Sequence, residues 1–391
     1  MKILVIGSGG REHAIAWKLA GEGHRVVRAA TDYLAAAEAA NVDLTVVGPE
    51  APLAEGVVDQ FRAAGRRIVG ATRECAQLES SKIYSKQFME RLGIPTARFI
   101  RTEDDAAAIA ALDRFDYPVV VKADGLAAGK GVIIARDRAE AVGAVRSLGP
   151  RLVIEEFLIG EEVSFIVLSD GKNVVAFEAS QDHKTVGDGD TGPNTGGMGA
   201  YCDGRIFTAA QNEMAMQTVI GPAVEATGFT GFLYAGLMMT ARGAKVLEFN
   251  VRLGDPEAQA LLHRMDAAFG EVLMAAASPG GLAGVKLRWK RDPSLCVVMA
   301  AHGYPGKVRT GDAITGIEEC TGMAGRVQVF QAGVKMGERG LETSGGRVLG
   351  VTASGEDLQG AITNTYAAVE KIHFAGAHWR RDIGAKGLRR W

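Results

Sequence analysis

Cysteine is scarce in this sequence, and its four copies lie far apart. Cys75, Cys202, Cys296 and Cys320 include no C-x-x-C pair, the spacing typical of many zinc sites and redox motifs. Disulfide frameworks belong to small secreted chains that are dense in cysteine. The spacing therefore argues against a zinc site and a disulfide framework, and we expect reduced thiols in a cytoplasmic protein.

An excess of one charge and long apolar runs are also lacking. The formal net charge is −2, with the two signs interspersed, so no basic stripe for nucleic acid is indicated. The opening MKILVIGSGGREHA turns to glycine after a short apolar run. Nothing later reaches the roughly eighteen uninterrupted apolar residues of a membrane helix. We expect neither a signal peptide nor a membrane span.

What is present is an ordinary globular composition in a chain too long for one core. Of its 391 residues, 47% are hydrophobic and 23% charged, and this length predicts about two to four domains. Apolar runs such as KILVI and DLTVVG alternate with alanine-rich helical stretches near the amino terminus. That alternation is typical of a parallel sheet with crossover helices. It predicts a small α/β domain over residues 1–78.

Two further units follow without a low-complexity linker. After the break at Gly93-Ile94-Pro95, short apolar runs flank a glycine loop and are spaced for antiparallel pairing. We expect a domain over 79–292, with a small lobe at about 98–156, and an α+β domain over 293–391.

Glycines occupy the turn after the first predicted strand. Gly9 and Gly10 lie where a dinucleotide-binding fold presents backbone N–H groups to phosphate. The fingerprint needs a third glycine at position 12, which here is Glu12, and the second strand does not end on an acidic residue. NAD binding is therefore disfavoured, and a phosphate contact or a plain tight turn remains.

A second glycine loop, GLAAGKG at 125–131, is only superficially a Walker loop. Three residues instead of four precede its G-K pair, a glycine follows, and the strand VIIA comes next. The loop is either a mobile hairpin or a flap whose amides close over triphosphate oxygens. In the second case Lys122 and Lys130 would supply positive charge.

Polar residues alternate in the run VLEFNVR. On one strand, Glu248, Asn250 and Arg252 would share a face. The apolar alternates, expected on the core side, are Leu247, Phe249 and Val251. A carboxylate and an amide oxygen suit Mg²⁺, and an arginine can hold a carboxylate or phosphate. A magnesium site is predicted, with a solvated strand face as the alternative.

Paired glutamates follow the run RLVI. Glu155 and Glu156, with Glu162 shortly after them, would suit a connection between two lobes. Such a connection can offer main-chain groups to an adenine edge and a carboxylate to ribose hydroxyls. A solvated turn is the alternative at this point.

Eight motifs, taken in order, closely resemble the phosphoribosylamine–glycine ligase family of ATP-grasp enzymes. They are GSGGREHA, TVVGPEAPL, LESSK, VVVKADGLAAGKGV, VIEEFLIGEEVSF, SQDHKTVGDGDTGPNTGGMGAY, GFLYAGLM and VLEFNVRLGDPE. The resemblance runs from residue 1 to RRDIG near the end, and the SQDHK string is highly specific to the family. It implies a multidomain α/β and α+β protein: a Rossmann-like pre-ATP-grasp domain, a two-lobed ATP-grasp unit and a small carboxy-terminal α+β domain.

The resemblance also implies an activity. The family joins glycine to 5-phosphoribosylamine with ATP in purine synthesis, giving glycinamide ribonucleotide, ADP and phosphate through glycyl phosphate. For this chain it implies ATP and Mg²⁺, with Mn²⁺ as an alternative metal. It further implies only small-molecule substrates, without nucleic acid or membrane partners, and a cytoplasmic monomer.

Site residues carry over where the motifs match. The nucleotide would contact Lys82, Lys122, Gly125, Gly129, Lys130, Gly131, Glu155, Glu156, Phe157, Leu158 and Glu162. Glycine and phosphoribosylamine would contact Gly9, Gly10, Asp182, Thr191, Gly192, Pro193, Asn194, Gly197, Met198, Arg252 and Asp255. Glu248 and Asn250 would hold the metal, and the catalytic residues would be Arg252, Lys122 and Asp182. His183 would position rather than act as a base.

Three segments depart from the family pattern. Residues 28–31 run directly into a helix where the family has a proline-glycine-asparagine loop, and residues 148–150 replace a longer flap. The segment CDGRIF after Tyr201 is also short. The ATP and magnesium motifs stay whole, but the sugar-phosphate contacts would differ. The alternatives to the family's activity are a ligase with another amine acceptor and a nucleotide-binding relative without turnover.

Overall fold

The computed structural model describes residues 1–126, 131–338 and 340–390. Its amino-terminal part contains β1 (Lys2–Ile6), α1 (Gly10–Gly21), β2 (Arg25–Ala29), α2 (Tyr33–Ala40), β3 (Leu44–Val47), α3 (Glu50–Glu55), α4 (Val57–Ala63) and β4 (Ile68–Val69). The four strands form a parallel sheet in the order β2-β1-β3-β4. Strand β1 is buried from residue 3 to residue 6, as expected where helices cover both faces of a parallel sheet. The predicted α/β architecture is confirmed here.

A small antiparallel sheet follows. Helices α5 (Arg73–Ser80) and α6 (Lys82–Leu92) lead to β5 (Phe99–Thr102), α7 (Asp105–Leu112), β6 (Val119–Ala123), β7 (Val132–Ala135), α8 (Arg138–Leu148) and β8 (Leu152–Glu156). The strand order is β5-β8-β6-β7. Val119, Val121 and Ile154 pack on one face with residues of α7 and α8. The opposite face carries a row formed by Glu155, Val120 and Ile134, and this face contributes to the candidate site.

A nine-stranded sheet forms the base of the molecule. Its strands are β9 (Glu161–Asp170), β10 (Val174–Ala176), β11 (Ser180–Asp182), β14 (Gly199–Cys202), β15 (Thr230–Thr240), β16 (Gly243–Asn250), β17 (Ser294–Ala300), β18 (Gln328–Gln331) and β21 (Arg347–Ser354). The order is β16-β15-β9-β11-β14-β17-β21-β18, and β10 pairs with β9. Because β14 pairs with β17, the sheet crosses the predicted boundary at 292/293. The domain boundaries stay predictions.

Two hairpins and six α-helices supply most of the remaining regular structure of the described part. The hairpins are β12 (Thr185–Gly187) with β13 (Thr191–Asn194), and β19 (Val334–Gly337) with β20 (Gly340–Thr343). The helices are α9 (Ala209–Ala215), α10 (Gly221–Thr227), α11 (Glu257–Arg264), α12 (Phe269–Ala276), α13 (Leu358–Val369) and α14 (Ala385–Arg390). The longest helices, α1 and α13, have 12 residues each. In the described residues, no helix has the length and apolarity needed to span a bilayer.

Helix α11 joins the amino-terminal part to the large sheet. All eight of its residues are buried, and it packs against α1, β14, β17 and β21. Two of its buried side chains bond residues outside the helix: Glu257 accepts from Tyr234, and His263 bonds the carbonyl of Arg326. The fixed start of α11 holds the preceding loop, which contains Asp255, at the edge of the sheet.

The expectation that Leu247 lies on the core side is wrong. Strand β16 contains a bulge, because Val246 pairs with Leu237 and Glu248 pairs with Gly236, which leaves Leu247 without a partner. The bulge turns Val246 into the core together with Phe249 and leaves Leu247 half-buried. The strand ends at Asn250, so Arg252 lies beyond it.

Candidate active site

The free face of the small sheet meets the bulge of β16. Lys122 lies on β6, and its Nζ is 3.1 Å from Glu155 Oε2 on β8. The same Nζ donates to the carbonyl oxygen of Leu247 at 3.1 Å. The carbonyl is available because the bulge removes Leu247 from the strand pairing. Lys122 thus spans the gap between the two sheets.

A second lysine, which sequence reasoning missed, lies on the other side of Glu155. Lys86 Nζ is 3.0 Å from Glu155 Oε1 and donates to Thr96 Oγ1 at 2.6 Å. Its side chain is only 3% exposed, and burial lowers the pKa of Lys86 to about 8. The Glu155 carboxylate therefore lies buried between two amines. Lys82 and Lys86 share a face of α6 at i, i+4 spacing, a signal that could have revealed the second lysine.

The start of the 125–131 loop is bonded to the beginning of α6. Lys82 Nζ donates to the carbonyl of Gly125 at 2.8 Å, and burial lowers the pKa of Lys82. Asp124 Oδ1 accepts from Ser81 Oγ at 2.9 Å and from the amide of Ile83 at 3.1 Å. Gly131 begins the next described segment, whereas Gly129 and Lys130 lie outside the described residues. The closing of this loop over phosphates stays a prediction.

The connection between β8 and β9 exposes apolar side chains. Ile159 is 82% exposed and Phe157 39%, while Leu158 is half-buried. The Glu156 carboxylate is occupied by Lys245 Nζ at 2.8 Å and by the amide of Arg98 at 2.9 Å. The main chain of this connection and its exposed apolar side chains form the kind of surface that binds a planar nucleotide base.

Glu248 lies among several cationic side chains. Lys184, which was also missed, has its Nζ 3.8 Å from Glu248 Oε1 and 3.0 Å from Glu162 Oε2. Burial opposes ionisation of Glu248, but the charges of Lys184, Lys122 and Lys82 lower its pKa to about 2. Burial likewise opposes a charged Lys184, yet Glu162 and Glu248 raise the pKa of Lys184 above its ordinary value. Lys184 therefore lies close to both Glu162, the carboxylate predicted to bind ribose, and Glu248, the carboxylate predicted to bind the metal.

Asn250 and Arg252 are adjacent, but the arginine already has protein partners. Arg252 Nη2 donates to Asn250 Oδ1 at 3.0 Å and lies 2.7 Å from Glu79 Oε1. Its Nε lies 3.4 Å from Glu50 Oε2. Although burial opposes the charge, Glu79 and Glu50 raise the pKa of Arg252. Glutamates from α3 and α5 therefore fix the guanidinium beside the predicted metal ligand.

The glycine-rich segment 191–199 meets the loop before α11. Gly197 has φ +108°, and a Cβ there would lie 2.5 Å from Pro256 Cδ and 2.9 Å from Asp182 Oδ1. Only glycine therefore fits between these residues. Thr191, Gly192 and Pro193 are exposed, and Asn194 is half-buried. Met198, by contrast, is fully buried, so its side chain faces the interior and only its main chain could meet a substrate.

Asp182 is influenced by a buried, hydrogen-bonded glutamate, Glu257. Burial raises the pKa of Asp182 well above its usual range, and the nearby Glu257 adds to the effect. Glu257 Oε1 accepts from Tyr234 Oη at 2.6 Å and from Ser164 Oγ at 3.1 Å. The neighbouring His183 is buried, and burial lowers its pKa to about 4. A neutral, enclosed imidazole suits a structural role better than base chemistry.

The first glycine turn also reaches this region. A Cβ on Gly9 would lie 3.8 Å from Asp255 Oδ2, and one on Gly10 would lie 3.7 Å from Asp255 Oδ1. The amide of Gly9, however, donates to Glu12 Oε2 at 2.6 Å. Glu12, the residue that breaks the dinucleotide fingerprint, thus occupies the N–H group that was expected to bind substrate phosphate.

Family models match nearly the whole chain. The N domain of phosphoribosylglycinamide synthetase matches residues 1–31 and 22–79. Its ATP-grasp (A) domain matches 80–258, and its C domain matches 294–386. The three matches follow one another in the order implied by the sequence motifs.

Full-length relatives and solved structures agree with these matches. A phosphoribosylamine–glycine ligase of Ralstonia nicotianae is 48% identical over 426 residues, with all of both chains covered. One from Pseudomonas aeruginosa is 45% identical, with 100% of this chain and 99% of the relative covered. The alignment with the Ralstonia relative is longer than this chain's 391 residues, so this chain has gaps in it.

Among solved structures, phosphoribosylamine–glycine ligase from Thermotoga maritima has a TM-score of 0.84 at 31% identity, covering 98% of this chain and 100% of that one. Biotin carboxylase from Campylobacter jejuni has a TM-score of 0.72 at 16% identity, covering 99% and 95%, and shows the fold alone. The chain therefore belongs to the phosphoribosylamine–glycine ligase family of ATP-grasp enzymes.

Proposed function

We propose that this protein joins glycine to 5-phosphoribosylamine at the expense of ATP, giving glycinamide ribonucleotide, ADP and phosphate. The observation that carries the proposal is the arrangement around Glu248. Lys184 lies 3.8 Å from this carboxylate, the charges of Lys122 and Lys82 also act on it, and the glycine-rich segment 191–199 lies against Asp182. Cationic groups next to a small-residue wall suit transfer of a phosphoryl group to a small carboxylic acid.

The reaction follows in two steps. The carboxylate of glycine attacks the γ-phosphorus of ATP, which forms glycyl phosphate and releases ADP. The amine of phosphoribosylamine then attacks the acyl carbon, forming the amide and releasing phosphate and a proton. No side chain becomes covalently attached, so Lys122, Lys82 and Arg252 act by orienting the reactants and balancing charge.

Glu248 and Asn250 would hold magnesium, with manganese as an alternative. The described residues contain no group of three or more His, Cys, Asp or Glu side chains that could hold a metal. Mg²⁺ often binds through one or two protein oxygens and substrate phosphates, and the low pKa of Glu248 keeps its carboxylate charged. The bound ion would neutralise phosphate charge.

A monomeric state and a cytoplasmic location are proposed from the sequence alone.

A different amine acceptor is the second candidate. The observation that favours it is the short connection between β2, which ends at Ala29, and α2, which begins at Tyr33, where a proline-glycine-asparagine loop is expected in the family. The nucleotide and glycine halves of the reaction would be unchanged.

The test is an assay of the purified protein with ATP, Mg²⁺ and glycine, with and without phosphoribosylamine. ADP and glycinamide ribonucleotide are followed together. Product that depends on phosphoribosylamine supports the proposal, and faster turnover with another amine supports the second candidate. Absence of turnover under conditions where ATP binds contradicts both. Glu248→Ala should abolish turnover, whereas Glu225→Ala, on the exposed surface of α10, is the matched control and should be as active as wild type.

A further inference from the structure

Two side chains from the carboxy-terminal region bond the main chain of Gly196, which lies within the segment 191–199. The amide of Gly196 donates to Tyr304 Oη at 3.1 Å. The carbonyl of Gly196 accepts from Arg347 Nη1. Tyr304 lies beyond β17, and Arg347 is the first residue of β21. Neither residue belongs to the motifs that pointed to the candidate site.

Arg347 also bonds the loop that precedes α11. Its Nη1 donates to the carbonyl of Asp255 at 2.6 Å and lies 3.4 Å from the carbonyl of Gly197. Its Nη2 lies 3.4 Å from Asp255 Oδ2. A single guanidinium therefore joins the two loops that meet at the substrate half of the candidate site.

The two glycines beside these bonds are tightly packed. A Cβ on Gly196 would lie 3.1 Å from Arg347 Cζ, and one on Gly197 would lie 2.5 Å from Pro256 Cδ. Gly196 therefore lies against Arg347, and Gly197 lies against the loop before α11. Such a close fit transmits the position of the arginine to the main chain of the segment.

We propose that Arg347 is a positioning residue for the ligation. It fixes Gly196, Gly197 and Asp255 in the arrangement that receives glycine and phosphoribosylamine, and it takes no part in nucleotide binding. The inference rests on the proposed function, because it treats 191–199 and Asp255 as the substrate half of the site. Arginine suits the role since its planar fork offers several donors in fixed directions, whereas lysine offers a single point charge.

The test compares Arg347→Met and Arg347→Lys with wild type and with Arg309→Met. Arg309 is a matched control from the same region: its Nε lies 3.0 Å from Asp312 Oδ2, and its Nη2 donates to the Ala375 carbonyl at 2.9 Å. The Michaelis constants of ATP, glycine and phosphoribosylamine are measured in turn. The dissociation constant of ATP and the hydrogen–deuterium exchange of the peptide 191–201 are measured on each protein without the other substrates.

We expect Arg347→Met to raise the Michaelis constant of glycine or phosphoribosylamine by about tenfold or more, the effect of losing a charged hydrogen bond. ATP binding should change by less than about twofold, and the peptide 191–201 should exchange faster. Arg347→Lys should lie between Arg347→Met and wild type, and Arg309→Met should match wild type.

Two results would overturn the inference: equal weakening of ATP and substrate binding, or wild-type exchange of the peptide 191–201 in Arg347→Met. If wild type shows no turnover with phosphoribosylamine, the proposed function fails. The exchange and ATP-binding measurements still decide the positioning role of Arg347 in that case.

Discussion

Lys184 and Glu162 form an ion pair in which Nζ lies 3.0 Å from Oε2. The same ammonium group is 3.8 Å from Glu248 Oε1. It therefore places a positive charge between the carboxylate expected at the ribose and the carboxylate expected at the metal. Without this charge, two carboxylates would face one another at the point where a polyanionic nucleotide is proposed to bind.

Replacing Lys184 should impair the reaction strongly. We expect Lys184→Met to lower kcat/KM for ATP by about 10- to 100-fold, because a cation directed at developing phosphate charge is lost. Steady-state assays at saturating glycine and amine measure the effect. Lys172→Met, at an exposed residue between β9 and β10, is the control. Equal activity of the two variants would show that Lys184 only neutralises the charges of Glu162 and Glu248 in the protein without substrates.

The buried lysine on α6 should matter for stability. Lys86→Met leaves Glu155 in the interior with Lys122 as its remaining ion-pair partner, and breaking a buried pair from one side costs about 3–5 kcal/mol. The free energy of unfolding in urea measures the loss. Arg138→Met breaks an exposed ion pair with Asp113 and should have no measurable effect. Equal stability of the two variants would contradict the structural role of Lys86.

Gly197 should tolerate no side chain. Gly197→Ala places a Cβ at 2.5 Å from Pro256 Cδ on a backbone with φ +108°, so we expect a loss of about 1–3 kcal/mol of stability and at least a tenfold loss of kcat/KM for glycine. Gly189→Ala separates the two causes, because Gly189 also has a positive φ but a Cβ there would meet nothing within 4 Å. Full activity of Gly197→Ala would show that the contact with the loop before α11 is not needed.

Acid should destabilise the protein partly through His263. This imidazole is buried and bonds the carbonyl of Arg326, and burial lowers its pKa from 6.5 to about 4. Between these values the unfolded chain binds more protons, so the contribution of His263 is complete above pH 6.5 and is lost as the pH falls towards 4.

His263→Gln should therefore lose less stability than wild type between pH 7 and pH 4, by about 2–3 kcal/mol. Urea unfolding at the two pH values measures the difference. His373→Gln, at an exposed position, should follow wild type, and identical pH profiles for all three proteins would refute the assignment.

Sequence motifs predicted the architecture. They also named Lys122, Asp182, Glu248 and Gly197 as site residues, because each lies in a specific local pattern. They missed Arg347, whose contact residue Gly196 lies 151 residues away along the chain. Motif reading finds residues by their neighbours in sequence, whereas this guanidinium is placed by the pairing of β21 with β17. Lys86 and Lys184 do lie in local patterns, one turn of α6 beyond Lys82 and inside the SQDHK motif, but their partners Glu155 and Glu248 are distant in sequence.

The position of Leu247 illustrates a second limit. Strict alternation assigned it to the core, but one extra residue in β16 reverses the faces on either side of it. The bulge depends on the pairing partner β15, which no single strand sequence reveals. It also supplies the carbonyl that Lys122 bonds, so the error fell at a residue that takes part in the candidate site.

The nine-stranded sheet also divides the candidate site between two separate ladders. The substrate segment, the loop before α11 and Arg347 are attached to this one continuous set of strands. Lys122 belongs to the small four-stranded sheet β5-β8-β6-β7, which shares no strand with it. The relative position of the two halves of the site therefore depends on a few contacts between the sheets: the bond from Lys122 to the Leu247 carbonyl, the ion pair of Lys245 with Glu156, and the isolated bridge between Thr96 and Val246.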